Sequence, residues 1–477
     1  MAQLVPDVLL LIFTELKDDP VSLHSCLLVN KEWFNIATPI LWRHISYAYD
    51  NPFLHNPESR SKLYNVIAHF LPNGPEDPLP QNNIILPLNK FSRMPTFDYM
   101  RFFIRITPFW IIDMAHLLIK NNSHKIQILE REIYKLIFSK YINVKHFSWE
   151  SEKNFCEYPN AQSFFSNLHS LEINWKFITN QNFSNLSKIC LNISKLEINN
   201  FGRDKDKKSL IKFIKNQNNL QSLFLDFNNN VKDTCTLLSN VIREKGSTLK
   251  NITLQPTLNC VTPIFIQSLE NILEITLNNK LNKYIDWQEW EKCLNNKKFP
   301  HLTHLQTSCL PFNIESLIIE KSGGKILEID SRLTIDFDHK NLDELSMMFS
   351  NCKQLEEIYF TTSVKVLPTG NELLRVINNS PLNKLRNISF SDKWNFSIEG
   401  VKKFLKDWKS KNRIPIKFTP HYHSERNFYW TAEHDKLYVK IIFYYMTVQE
   451  VLVGSAGPSV TPAVAIDGID NLMITSV

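Results

Sequence analysis

Between residues 142 and 420 one spacing of apolar positions keeps returning: apolar, two positions, apolar, one position, apolar. It is read in Val144-x-x-Phe147-x-Trp149, Leu168-x-x-Leu171-x-Ile173, Ile193-x-x-Leu196-x-Ile198, Leu220-x-x-Leu223-x-Leu225 and Leu249-x-x-Ile252-x-Leu254. It continues in Ile272-x-x-Ile275-x-Leu277, Leu302-x-x-Leu305-x-Thr307, a degraded copy at Ile326-x-x-Ile329, Leu355-x-x-Ile358-x-Phe360 and Leu385-x-x-Ile388-x-Phe390. Successive starts lie 23 to 30 residues apart, a period that marks a repeat architecture. Alternation within each copy predicts a short strand with its Leu and Ile side chains on one face. Helical patches lie between copies, as in Leu210-Ile211-x-Phe213-Ile214, Leu237-Leu238-x-x-Val241-Ile242 and Leu342-x-x-Leu345-x-x-x-Phe349. One strand–helix unit cannot bury its own apolar face, so the units must stack. The fold class predicted is α/β, a curved strand–helix solenoid. The alternative is an irregular α/β domain with chance leucine spacing, against which the single register of the copies argues.

The first 46 residues follow a different period. Leu4, Val8, Leu9, Ile12, Phe13 and Leu16 have helical spacing, with Asp7 near the front, where a carboxylate suits a helix N-terminus. Asp19-Pro20 reads as an N-cap followed by Pro at the first helical position, opening a helix that carries Leu23, Leu27 and Leu28. Asn30 is placed to cap a third helix holding Trp33 and Phe34, and Thr38-Pro39 repeats the cap-and-Pro device before Leu41-Trp42. A unit of fewer than ~50 residues buries too little apolar surface to stand robustly alone. It is also apolar on more than one face, so it must lean on another surface. That surface is either the rest of the chain, with the helices as a cap, or a second protein.

The order of these residues carries a resemblance. Leu4-Val5-Pro6-Asp7, the apolar helix from Val8 to Leu16, Leu27-Leu28-Val29-Asn30-Lys31-Glu32-Trp33 and Leu41-Trp42 resemble an F-box, the motif that docks a receptor onto the Skp adaptor of a cullin–RING ubiquitin ligase. Val5 stands where that family has Pro, Asp7 where it has Glu and Asn30 where it often has Cys. The stretch is also similar to a large group of fungal F-box proteins. The resemblance implies a three-helix fold whose adaptor-contact face draws on Leu4, Pro6, Leu9, Ile12, Phe13, Leu16, Leu28, Val29 and Trp33. The repeat region in turn looks like the leucine-rich repeats that often follow an F-box.

Composition narrows the function. Hydrophobic residues make up 43% and charged residues 21% of the 477-residue chain, near globular norms. The expected organisation is an F-box domain at 1–46, a helical linker region with a Pro-rich loop at 47–141, the solenoid at 142–420 and a divergent tail at 421–477. Eight cysteines are scattered without a CxxC pair or zinc-ligand spacing, which points to a reducing compartment, cytoplasmic or nuclear. The N-terminus does not read as a signal peptide. No apolar run reaches the ~18 residues that span a bilayer. The net charge of +6 is spread along the chain and does not indicate nucleic acid. Ser322-Gly323-Gly324-Lys325 lacks the upstream Gly and the following Ser or Thr of a phosphate loop and reads as a turn between repeats. His421 and His423 have no third metal ligand beside them. The basic amphipathic stretch 397–410 reads as the solvated face of a last helix.

No catalytic residue and no cofactor is expected. The function expected is that of a non-catalytic substrate receptor, whose partners are a Skp-type adaptor, a cullin reached through it, and a target protein of unknown identity. A protein-binding scaffold without a ligase role is the alternative. The strand positions flanking the inward apolar residues carry Glu172, Glu197, Asp226, Glu274, Glu328 and Glu357. They are the expected target-binding residues, on an acidic concave surface in a chain that is basic overall.

Overall fold

The computed structural model describes residues 5–45, 56–86, 95–119, 122–140, 143–202, 207–228, 234–280, 285–333, 339–362, 370–391, 394 and 396–421. They fall into two compact units, one ending at Ser331 and one beginning at Arg332.

The first unit opens with α1 (Pro6–Glu15), α2 (Pro20–Leu27) and α3 (Lys31–Ile45). The local chemistry sets their ends. Asp19 accepts from Ser22 N–H at 3.1 Å, and Asn30 accepts from Trp33 N–H at 2.9 Å, each satisfying an orphan donor of a first turn. Thr38-Pro39 does not start a fourth helix. It lies inside α3, where Thr38 Oγ1 donates to the Phe34 carbonyl at 2.6 Å. One continuous helix lets Ala37, Ile40 and Leu41 bury together.

α4 (Pro57–Ala68), α5 (Pro78–Gln81), β1 (Arg105–Ile106), α6 (Pro108–Leu118) and α7 (Ser123–Lys140) follow. Tyr64 Oη donates to Asp113 Oδ2 at 2.6 Å and Arg60 Nε to the same oxygen at 2.9 Å, tying α4 to α6. The Pro-rich run, expected as a loop, is pinned instead. Leu79, Ile84 and Leu86 are buried, and Pro78 starts α5, where a missing N–H costs nothing. Residues 95–103 join the F-box helices to this region through aromatic rings. Trp42 stacks on Tyr99 with centroids 4.1 Å apart, and Phe34 meets Phe97 at 5.5 Å.

The repeat follows as β2 (His146–Trp149), α8 (Ala161–Ser166), β3 (Ser170–Asn174), α9 (Asn180–Ile189), β4 (Lys195–Phe201), α10 (Lys207–Asn216), β5 (Ser222–Phe227), α11 (Thr236–Lys245) and β6 (Asn251–Gln255). It continues with a 3₁₀ segment (Pro263–Ser268), β7 (Glu274–Asn278), α12 (Trp287–Asn295), β8 (His304–Ser308), α13 (Phe312–Lys321) and β9 (Glu328–Leu333). The strands lie side by side in chain order, and the pairs from β1 to β8 are parallel. Equivalent positions of the motif meet across neighbours: Phe147, Leu171, Leu196, Leu223, Ile252, Ile275 and Leu305 form one ladder. Each is at most 4% exposed, and full burial of such a side chain contributes roughly 1.5–3 kcal/mol. α7 covers that face through the contact of Phe138 with Phe147, and α9 packs on α10 through Phe183 and Phe213.

The second unit contains α14 (His339–Ser350), β10 (Glu357–Thr362), α15 (Gly370–Asn379), β11 (Asn387–Ser391), α16 (Ile398–Ser410) and β12 (Lys417–His421). Its strands are again parallel, with Ile358, Ile388 and Phe418 in register. α16 buries Val401, Phe404, Leu405 and Trp408 and leaves Lys402, Lys403 and Lys406 exposed. Ahead of β12 the Trp408 indole N–H donates to the Ile414 carbonyl at 2.8 Å. The tail expected at 421–477 lies outside the described residues beyond His421.

Candidate functional site

Two surfaces stand out in the first unit. One is apolar and helical. α1 turns Leu9 and Phe13 inward to 1% exposure, and Phe13 meets Trp33 of α3 edge-to-face at 5.1 Å. α2 turns Leu23 and Cys26 inward. With the inner positions filled, the remaining apolar side chains are left outside: Leu11 at 69% exposure, Leu28 at 77%, with Val5, Val8, Leu10, Ile12, Val21 and Val29. Single exposed hydrophobics are ordinary, but a concentration on two adjacent short helices marks an interaction surface.

The other surface is polar. The strand side chains that point away from the helices form rows in register, one of which runs Glu172, Glu197, Phe224, Thr253, Thr276, Gln306. Arg105 pairs with Glu172 at 3.2 Å and Lys195 with Glu197 at 2.7 Å. Burial, and then the neighbouring Glu197 carboxylate, push the Glu172 carboxyl above its ordinary value. Asp226 accepts from the Gln255 amide at 3.4 Å, and Glu274 from the Asn251 amide at 2.6 Å. At β7 to β9 the face dips into a cavity of about 230 Å³ lined by Glu274, Thr276, His304, Gln306, Glu328 and Asp330. Here His304 Nε2 lies 3.7 Å from Glu328, and the Gln306 amide donates to Asp330 at 2.7 Å.

Residues 6–48 match the family model described as F-box-like. The chain carries an F-box-like domain over those residues. Behind it, the strand–helix array identified above from its own repeat is leucine-rich-repeat-like. Among solved structures the chain is similar to the leucine-rich repeat-containing protein LegL7 from Legionella pneumophila. The identity there is 13% and the TM-score 0.35, over 60% of this chain and 96% of that one. No curated protein matches it. F-box domains in general bind adaptors of the Skp type.

The F-box residues expected at the adaptor divide by burial. Pro6, Ile12, Leu28 and Val29 are exposed, while Leu16 and Trp33 are half-buried. Leu9 and Phe13 are a correction: they pack into the F-box core and offer no surface to a partner. Leu4 lies outside the described residues. Val5, Val8, Leu10, Leu11 and Val21 are exposed as well and were not among the residues expected at the adaptor. Both faces of α1 are apolar, so helical spacing cannot tell inside from outside. Of the expected target residues, Glu172, Glu197, Asp226, Glu274 and Glu328 share the outward strand face of the first unit. Glu357 lies on β10 of the second unit, where the Asn387 amide donates to it at 3.3 Å. Among the described residues no three His, Cys, Asp or Glu side chains gather as metal ligands, and no helix is long and apolar enough to cross a membrane. Ser322 to Lys325 is a turn between α13 and β9, with Gly323 and Gly324 at positive φ, where glycine is favoured.

Proposed function

We propose that this protein is the substrate-recognition subunit of a Skp–cullin–F-box ubiquitin ligase. The observation that carries the reading is the exposed apolar face of α1 and α2, left over after the F-box core is filled. A Skp-type adaptor covers that face and brings a cullin with it. The outward strand face of the array holds a target protein. The chain contributes proximity and no chemistry of its own: it raises the effective concentration of a target lysine beside a charged ubiquitin-conjugating enzyme. The free state of all eight cysteines fits residence in the reducing cytosol or nucleus.

The aromatic junction of Trp42 with Tyr99 and Phe103 supports this reading. Stacked rings hold the F-box against the segment that leads into β1, so an adaptor and a target bound to the same unit keep a defined spacing. The test is affinity capture of the full chain from cell extract, scored for a Skp-type adaptor and a cullin. Both are expected in the wild-type eluate. Recovery of neither, with a folded bait, overturns the ligase reading in favour of a scaffold whose N-terminal helices serve only the chain itself.

A further inference from the structure

The outward strand face of the first unit differs from the chain as a whole. The protein carries a formal charge of +6, yet this face presents Glu172, Glu197, Asp226, Glu274, Glu328 and Asp330 against Arg105 and Lys195. Both cations are engaged, Arg105 with Glu172 and Lys195 with Glu197. Asp226 and Glu274 are met by the amides of Gln255 and Asn251. Amide donors satisfy carboxylate lone pairs without cancelling their charge. The Glu172 carboxyl is raised first by burial and then by the Glu197 carboxylate beside it. Behind the carboxylates lies the apolar ladder from Leu171 to Leu305, a low-dielectric backing that pushes field lines outward.

We propose that this face docks a Lys- and Arg-rich segment of the target protein. The proposal deepens the receptor reading above and rests on it for the identity of the face. The cavity at β7 to β9, about 230 Å³, has room for the end of one basic side chain, with Glu274, Glu328 and Asp330 around it. Extended backbone can lie across the parallel strands and present further basic residues toward Asp226, Glu197 and Glu172. The charge pattern selects against a phosphorylated or acidic segment, because like charges set opposite one another suppress wrong partners.

The experiment measures binding of a fluorescent, short Lys/Arg-rich peptide to the full chain at physiological salt. Neutral, Asp/Glu-rich and phosphoserine peptides of equal length are compared with it. The wild type is expected to bind the basic peptide alone, more weakly as salt rises. Glu197→Lys, Glu274→Lys and Glu328→Lys together are expected to weaken that binding ~10-fold or more and to admit the acidic peptide. A control reverses Glu244, Glu289 and Glu320 to Lys. These lie on α11, α12 and α13 and change the net charge by the same amount, so basic-peptide binding should stay near the wild-type value. Equal loss in the two triple variants overturns the proposal, since net charge alone would then explain it. So does a wild type that prefers the phosphoserine peptide or binds none of them. Adaptor capture, scored on the same preparations, reports on the receptor reading separately: its loss in the wild type sinks that reading whatever the peptides do. Melting curves of all variants exclude unfolding as the cause of any loss.

Discussion

The F-box helices and the repeat array handle apolar residues in opposite ways. In the array nearly every apolar position of the motif is inside: Leu171, Leu196 and Ile329 are at 0% exposure and Leu223 at 1%. In α1, by contrast, buried Leu9 and Phe13 alternate with Leu11 at 69% and Ile12 at 43% exposure. The array uses its hydrophobicity to hold itself together through stacking. The F-box keeps a large share on the outside, where it stabilises nothing in the free chain. Apolar surface retained outside a folded unit is surface available to a partner. A truncation in the array should therefore cost stability, and one on the outer F-box face should cost binding.

The largest effect is expected in the array. Leu223→Ala removes a fully buried side chain from the middle of the ladder and should lower stability by ~2–5 kcal/mol. Urea denaturation followed by circular dichroism measures it. A change under ~1 kcal/mol would mean that the ladder is loosely packed and that the contrast with the F-box is overstated.

A second prediction concerns the place where the array breaks its own rule. Thr307 and Ser331 stand at the third motif position, where other copies have Trp, Ile, Leu or Phe, and both are buried. Between them α13 inserts Glu315, 3% exposed, which accepts from the Ser331 hydroxyl at 3.1 Å. Burial raises this carboxyl from 4.5 to about 7, opposed in part by hydrogen bonds from Thr307 and Ser331. From pH ~4.5 to ~7 the unfolded chain ionises Glu315 while the folded chain keeps its proton. The folded state then holds more protons, so stability falls as pH rises through that window and levels off above it. The total is on the order of 3 kcal/mol. Glu315→Gln should remove this slope. A slope that persists in Glu315→Gln would assign the pH dependence to other groups.

The smallest effect tests the F-box frame. Asn30→Ala deletes the cap on the α3 first turn and should cost ~1 kcal/mol, read as a modest fall in melting temperature. No change would mean that water serves the Trp33 N–H equally well.

What could be read from the sequence follows the same contrast. The array was legible because its period of two and its repeat length reinforce each other. The ladder from Leu171 to Leu305 in the first unit, and the register of Ile358 with Ile388 in the second, follow directly from apolar spacing. The copy at Leu302 ends in Thr307, and the copy at Ile326 reads as degraded. They encode a buried polar group that only the three-dimensional neighbour, Glu315, explains. The F-box was legible as helices and caps, with Asp19 and Asn30 both accepting the expected N–H groups. Its inner and outer faces were not, because Val8 to Phe13 is apolar almost without interruption. Leu9 and Phe13 thus seemed equivalent to Ile12. Pro39 looked like a helix start and is an interior residue, since packing of Ala37, Ile40 and Leu41 outweighs the one hydrogen bond that proline forfeits. The Pro-rich stretch looked like a linker because its three buried anchors, Leu79, Ile84 and Leu86, have no period.

The most direct test of the central claim is the affinity of the full chain for a purified Skp-type adaptor, measured by calorimetry for the wild type and for Leu11→Ala with Leu28→Ala. Both side chains are exposed, so the melting temperature should stay within the small range of surface substitutions. Truncated interface anchors cost ~2 kcal/mol or more, so the double variant should bind at least ~30-fold more weakly at unchanged stability. Adaptor affinity equal to that of the wild type, in a variant that melts normally, would contradict the assignment of this face.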